Sequence, residues 1–183
     1  MRNELDRIVG YRLCLRLVAP EDAAYIHGLR TNPDFNRHLS SVTGTVDDQR
    51  AWIEAYKARE AAGEELYYVM ERTDGGRCGL VRLYDISRES FSWGSWILDH
   101  NKPAKAALES ALLSLGVGFE RLGLSTAFLD VRRDNANAVA FYQRLGMTNI
   151  GVDAVNLYLK YTRNQFLQAQ DAHRRVVFAE VRA

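Results

Sequence analysis

Between residues 90 and 132 the apolar residues change their spacing twice, and few architectures accommodate that. Ser90 to Leu98 alternates with the period of a strand, Phe91, Trp93, Ser95 and Ile97 on one face and Ser92, Gly94, Trp96 and Leu98 on the other. From Pro103 to Leu122 the spacing turns helical, and Leu108, Leu112, Leu115, Phe119 and Leu122 form one stripe that Gly123 terminates. Ser125 to Arg132 returns to alternation, with Ala127, Leu129 and Val131 sharing a side. Strand, helix and strand in close succession call for a sheet covered by helices. Gly94 in mid-strand marks a bulge or a close backbone approach, and a bulge would break the alternation there.

The flanking sequence continues this mixture. Arg12 to Val18 alternates as a half-buried strand. Pro20 and Glu21 open a helix that runs to Arg30, and Asn32-Pro33-Asp34 breaks it. A second helix, Val46 to Ala61, carries Trp52, Ile53 and Tyr56 at helical spacing and stops at Gly63. Leu66 to Arg72 and Cys78 to Ile86 flank an Asp74-Gly75-Gly76 turn, the pattern of a hairpin. Asn137 to Leu145 reads as a short helix ended by Gly146, and Asn156 to Tyr161 as a closing strand. The expected order is β-α-α-β-β-β-α-β-α-β, an α/β fold with a mixed central sheet and helices on both faces.

No repeat or low-complexity linker interrupts residues 1–162, which read as one domain. The tail, 163–183, suggests a further helix in which Phe166, Leu167, Val176, Val177 and Phe178 make no single clean stripe. Packing on the body and bridging two subunits are both open, so a homodimer is one expectation. With 24 basic and 23 acidic residues the net charge is +1, which gives no electrostatic case for nucleic acid or an anionic membrane. Two distant cysteines, Cys14 and Cys78, with no Cys/His ligand spacing, predict neither a disulfide framework nor a metal site. No apolar run approaches the ~20 residues of a membrane span, and the first residues lack an apolar signal segment. A cytoplasmic protein with a small-molecule or protein partner is expected.

The segment from Asp130 to Met147 says more. A strand ends at Val131, Asn135 follows four residues on, then Ala136 and Ala138, then Phe141-Tyr142 ahead of Leu145-Gly146-Met147. This resembles the strand-to-helix signature of the GNAT superfamily of N-acetyltransferases, with Met147 in place of the usual aromatic. The element order over residues 12 to 162 is similar as well. The resemblance implies acetyl-coenzyme A as cofactor and a primary amine as acceptor. It also implies Tyr142 as the general acid and Asn135 as a contact of the pantetheine arm. The residues themselves allow this. Tyr142 lies seven positions after Asn135, about two helical turns, so both can look toward one sheet edge. Attack of an amine on a thioester expels a thiolate, which a nearby phenol can protonate. Equally, Tyr142 can be a helix aromatic packing on the sheet beside Phe141, and Asn135 a helix N-cap.

Cofactor contacts are expected along the strand at Trp96, Ile97 and Leu98, in the loop at Lys102, Ala104, Lys105, Ala106 and Ala107, and at Asn135, Ala138, Phe141 and Tyr142. In that loop the family's pyrophosphate-binding glycines correspond to Ala104 and Ala106. Alanine is small enough for backbone approach but disfavours positive φ. Lys102 and Lys105 at a helix start oppose the helix dipole, which makes sense if an anion binds there and otherwise reads as solvated surface.

Leu29 to His38 and Gln49 to Lys57 are similar to the acceptor-side helices of the GNAT branch that acetylates amino-sugar nucleotides for surface polysaccharides. That resemblance implies a nucleotide-linked amino sugar as acceptor. Arg30, Asn32, Arg37, His38 and Trp93 are its candidate contacts, each otherwise an ordinary surface or core residue. For the general base the candidates are Glu89, Asp99, His100, Asp130 or a held water, His100 having the most suitable unperturbed pKa. With no cysteine near the motif, direct attack in a ternary complex is expected. Alternatives are a protein N-terminus or polyamine as acceptor, or a non-catalytic binding module, which the altered Ala104/Ala106 loop would suit.

Overall fold

The computed structural model describes residues 3–179. An eight-stranded sheet runs β1 (Arg7–Val9), β2 (Leu13–Leu17), β3 (Leu66–Arg72), β4 (Arg77–Tyr84), β5 (Ser90–Leu98), β6 (Thr126–Arg132), β8 (Asn156–Thr162) and β7 (Thr148–Val152) in spatial order. Every neighbouring pair is antiparallel except β5 and β6. The helices are α1 (Asn3–Asp6), α2 (Ala23–Thr31), α3 (Pro33–Asn36), α4 (Val46–Ala62), α5 (Ala106–Gly116), α6 (Ala136–Leu145) and α7 (Arg163–Phe178). This is the expected α/β fold with helices on both faces.

The sheet separates two apolar layers. On one face Ala111, Leu115, Leu145 and Phe166 of α5, α6 and α7 meet Tyr68, Met70, Phe91, Trp93, Ala127, Leu129 and Val131. On the other, Ile26, Leu29, Ile53 and Tyr56 of α2 and α4 meet Tyr67, Val69, Leu80 and Ile97. Leu66 to Met70 is therefore buried throughout, as a strand covered on both sides must be. The α2–α4 layer stops short of β6 and β8, leaving Phe128, Asp130 and Tyr158 exposed on that face.

Local signals account for the clearest boundaries. Thr45 and Asp48 form a reciprocal capping box at the start of α4, and Gly63 at φ 77° ends it. Asn135 caps α6 by accepting from the Ala138 amide at 3.2 Å, and Gly146 at φ 95° closes it. Pro20–Asp22 forms a single 3₁₀ turn ahead of α2.

Three elements depart from expectation. The helix predicted to reach Leu122 ends as α-helix at Gly116 and continues as a π turn over Val117–Arg121. Its sheet-facing side is Ala106, Ser110, Ala111, Ser114 and Leu115, whereas Leu108 and Leu112 are only partly buried. Two indole rings fill the space between β5 and α5, so small residues face them. Strands β1 and β7 were not anticipated, being a three-residue edge and an exposed edge with no apolar alternation. The tail packs on the body: Phe166 is buried against Phe119 at 5.2 Å between centroids, and Arg12 donates to the Val177 carbonyl at 2.6 Å. Its last residues, 180–183, lie outside the described residues, as do residues 1 and 2.

Candidate active site

Strands β5 and β6 pair over three positions, Ser90 with Thr126, Phe91 with Ala127 and Ser92 with Phe128. Beyond Ser92 they part. The cause is visible on the other side of β5. Between its pairings with β4, Gly94 opposite Arg82 and Ile97 opposite Leu80, β5 carries one residue more than its partner. Ser95 absorbs this bulge at φ 47°, a left-handed conformation. A cavity of about 780 Å³ occupies the opening.

The bulge also re-aims the side chains. Trp93 and Trp96 both face α5, their N–H groups donating to Ser114 Oγ at 2.9 Å and Ser110 Oγ at 3.1 Å. Trp96 then lies between Phe141, at 5.1 Å, and Tyr142, at 6.0 Å. Tyr142 is 7% exposed and edge-on to Trp93 at 5.9 Å. Among the described residues its hydroxyl has no hydrogen-bond partner. Burial, with Asp130 nearby, pushes this phenol's pKa upward and keeps it protonated through the physiological range. This phenol therefore lines the cavity with its proton uncommitted among the described residues.

Of the residues singled out from the sequence, Trp93, Trp96, Leu98, Ala107, Asn135, Ala138, Phe141, Tyr142 and His38 line this cavity. Ile97 does not: the register change turns its side chain into the α2–α4 layer. Lys102, Ala104, Lys105 and Ala106 lie outside the lining, in the loop before α5. There the positive φ expected to trouble the alanines falls on Lys105 instead, at 63°. The Lys105 ammonium donates to the Ala179 carbonyl and that of Lys102 to the Asp99 carbonyl at 3.5 Å.

On the acceptor side, Asn32 caps α3 through the Asp34 amide at 2.9 Å, and Arg37 is exposed outside the cavity. Arg30 reaches Ser40 Oγ at 3.0 Å. His38 lines the cavity and lies 3.3 Å from Asp134, across the mouth. His100, the first candidate base, is outside the lining; its side chain is 76% exposed, against Phe35 at 4.9 Å and 3.8 Å from Asp34. Asp99 is buried and committed to the Tyr25 hydroxyl at 2.7 Å, and Glu89 is exposed at the paired end of the sheet. Asp130 alone of those candidates lines the cavity, as do Arg132 and Arg144, and Arg132 lies 3.9 Å from Asp134. Sequence reasoning missed both arginines, because only the parting of β5 and β6 brings them to one opening.

Neither cysteine is placed for covalent chemistry. Both are buried away from the cavity, and burial raises their thiol pKa values, that of Cys78 to about 12. Among the described residues no cluster of metal-ligating side chains occurs, and no helix is long and apolar enough to cross a membrane.

The sheet is thus split at a bulge, and the capped helix α6 carries the buried Tyr142 into the split. The model of the acetyltransferase (GNAT) domain matches residues 12–148, and the chain belongs to that family; it is an N-acetyltransferase. The structure is similar to apo FdhC, described as a nucleotide-linked sugar GNAT, with a TM-score of 0.86 and 36% identity over 92% of this chain and 97% of that one. It also resembles the spermidine N-acetyltransferase of Vibrio cholerae in complex with CoA and spermine, with a TM-score of 0.74 and 21% identity over 85% and 98%. A GNAT-family acetyltransferase from Bacillus anthracis superposes with a TM-score of 0.71 at 15% identity over 86% and 99%. At those lower identities the likeness is one of fold. Among curated proteins no match was found.

Proposed function

We propose that this enzyme acetylates the amine of a nucleotide-linked amino sugar destined for surface polysaccharide, with acetyl-coenzyme A as donor. The observation that carries this reading is the cavity between β5 and β6. It has an apolar inner wall with the Tyr142 hydroxyl, unpartnered among the described residues, and a mouth where His38, Arg132 and Arg144 meet Asp130, with Asp134 beside both His38 and Arg132. Trp96, Leu98, Phe141 and Ala138 suit an alkyl arm, and the part of β5 beyond Ser92 has no neighbour on its β6 side. Those features fit the pantetheine of acetyl-coenzyme A, whose chemical contribution when bound is an activated acetyl thioester.

The remaining work falls to this chain. Tyr142, held neutral by burial, gives its proton to the departing sulfur. Asp130 attracts the acceptor's ammonium and relays its proton to solvent. Asn135 already caps α6, so any contact with the pantetheine is additional to that structural role. With both cysteines remote, transfer is direct within a ternary complex. FdhC, at 36% identity, is itself described as a nucleotide-linked sugar GNAT.

The test is thiol release from acetyl-coenzyme A against a panel of amino-sugar nucleotides, polyamines and short peptides. Turnover confined to the amino-sugar nucleotides is expected. Turnover with polyamines or peptides instead would overturn the acceptor assignment.

A further inference from the structure

A second cavity, of about 400 Å³, is lined by Arg30, whose guanidinium also donates to Ser40. Arg30 of α2, Trp52 of α4, Tyr67 of β3 and Arg82 of β4 meet there, with Thr43 and Thr45 from the connecting loop. Tyr67 is 1% exposed, and among the described residues its hydroxyl makes no well-formed hydrogen bond, with the Arg30 guanidinium beside it opposing the upward push of burial on its pKa. The Nε atoms of Arg30 and Arg82 are buried without partners as well. Native interiors leave few polar atoms unpaired; Arg30 answers the Tyr67 hydroxyl in part, and the two guanidinium Nε–H groups on the wall of this cavity still point to a missing acceptor.

The two guanidinium groups are fixed by other contacts. Arg30 Nη2 donates to the hydroxyl of Ser40, and Arg82 Nη2 donates to Glu65 Oε2 at 2.6 Å. Arg82 also lies over the rings of Trp52 and Tyr84, at 5.3 Å and 5.0 Å. The carboxylate in the wall, Asp48, is engaged by the amide and hydroxyl of Thr45 at 2.7 Å and 2.9 Å. Trp52 is stacked on Tyr56 with Arg82 over its ring at 5.3 Å, and the side chain stays 37% exposed. What the wall lacks is a compact oxyanion. Planar guanidinium donors beside a phenol match a phosphoryl group in charge and in hydrogen-bond direction.

We propose that this cavity binds a phosphoryl group, that of the acceptor's diphosphate, through Arg30, Tyr67 and Arg82. The assignment to the acceptor rests on the nucleotide-sugar reading above. It follows from adjacency: Arg30 holds Ser40, and Ser40 lines the main cavity. An acceptor that spans the segment from residue 38 to 45 places its amine toward Tyr142 and its diphosphate in the second cavity.

The experiment is calorimetric binding of dTDP, UDP and inorganic phosphate to the full chain, to Tyr67→Phe and to Arg30→Gln. Acetyl-coenzyme A binding serves as the control for folding. A nucleoside diphosphate is expected to bind, and each substitution to weaken it at least tenfold with acetyl-coenzyme A affinity unchanged. Nucleoside diphosphate binding that neither substitution alters would overturn the pocket while leaving the acceptor class standing. Phosphate binding that depends on Tyr67, with no binding of either nucleotide, would overturn the assignment to the acceptor. If acetyl-coenzyme A binds and no phosphate compound does, pocket and nucleotide acceptor both fall.

Discussion

Trp93 and Trp96 face the same helix from one strand, three residues apart, with ring centroids 5.1 Å from each other. Strict alternation would put them on opposite faces of the sheet. The left-handed turn at Ser95 removes that opposition, and Ser110 and Ser114, one helical turn apart, receive the two indole N–H groups. The second ring thereby comes to rest against Tyr142, which ties the shape of the cleft to the placement of its one protonated phenol.

Replacing Tyr142 with Phe removes a hydroxyl that has no hydrogen-bond partner among the described residues, so thermal stability should change by no more than a few degrees. Loss of a general acid should lower kcat by about 100-fold, with KM for acetyl-coenzyme A little altered. Steady-state kinetics decide it: an unchanged kcat would remove Tyr142 from the chemistry.

Asp130→Asn should act on the other substrate. The exposed carboxylate at the cavity mouth supports no strand or helix contact, and its loss should raise KM for the acceptor amine by roughly tenfold, the effect of about 1.4 kcal/mol of lost attraction. The affinity for acetyl-coenzyme A should not move. An effect on donor affinity alone, read by the same titrations, would contradict an acceptor-side role.

Ser114→Ala leaves the fully buried Trp93 indole N–H without its acceptor. The expected cost is roughly 1–3 kcal/mol in denaturant-derived stability, because a buried donor is left unpaired. Stability equal to that of the wild type would mean that this hydrogen bond contributes nothing net to the fold.

Alkaline pH should destabilise the protein in a defined window. Burial raises the pKa values of Tyr56, Tyr68 and Tyr142, and that of Tyr161 to about 12. In the unfolded chain these phenols ionise near pH 10, so above that value the unfolded state binds fewer protons than the folded one. Stability from this source is complete below about pH 10 and declines as pH rises beyond it. Chemical denaturation on both sides of about pH 10, with phenolate absorbance followed in parallel, tests the claim. Ionisation of these tyrosines near pH 10 in the folded protein would refute it.

Much of this was legible in the chain because the signals are local. Thr45 with Asp48, Asn135, Gly63 and Gly146 mark helix ends by their own chemistry, and the residues from Asn135 to Tyr142 carry their motif in one continuous stretch. What was not legible depends on tertiary register. The sheet-facing side of α5 was misjudged because Ser110 and Ser114 are buried only by virtue of the indoles that reach them. Ile97 left the site because one extra residue in β5 reverses every side chain after it. Arg132 and Arg144 share an opening with His38 although they sit on different elements, and no short-range pattern announces that. Nor could the loop before α5 show in advance that its positive φ belongs to Lys105.

The three-rung pairing of β5 with β6 carries one more consequence. Two partial sheets are joined along a seam too short to hold them, while a single apolar core, from Leu13 and Tyr68 to Val131 and Tyr161, runs behind both. The molecule is thus splinted from the back. Neither plate can melt without exposing apolar surface on the other, so loss of structure should be one cooperative event. The gap in front costs the sheet its hydrogen bonds there, but leaves the opening at a width that the core behind it sets.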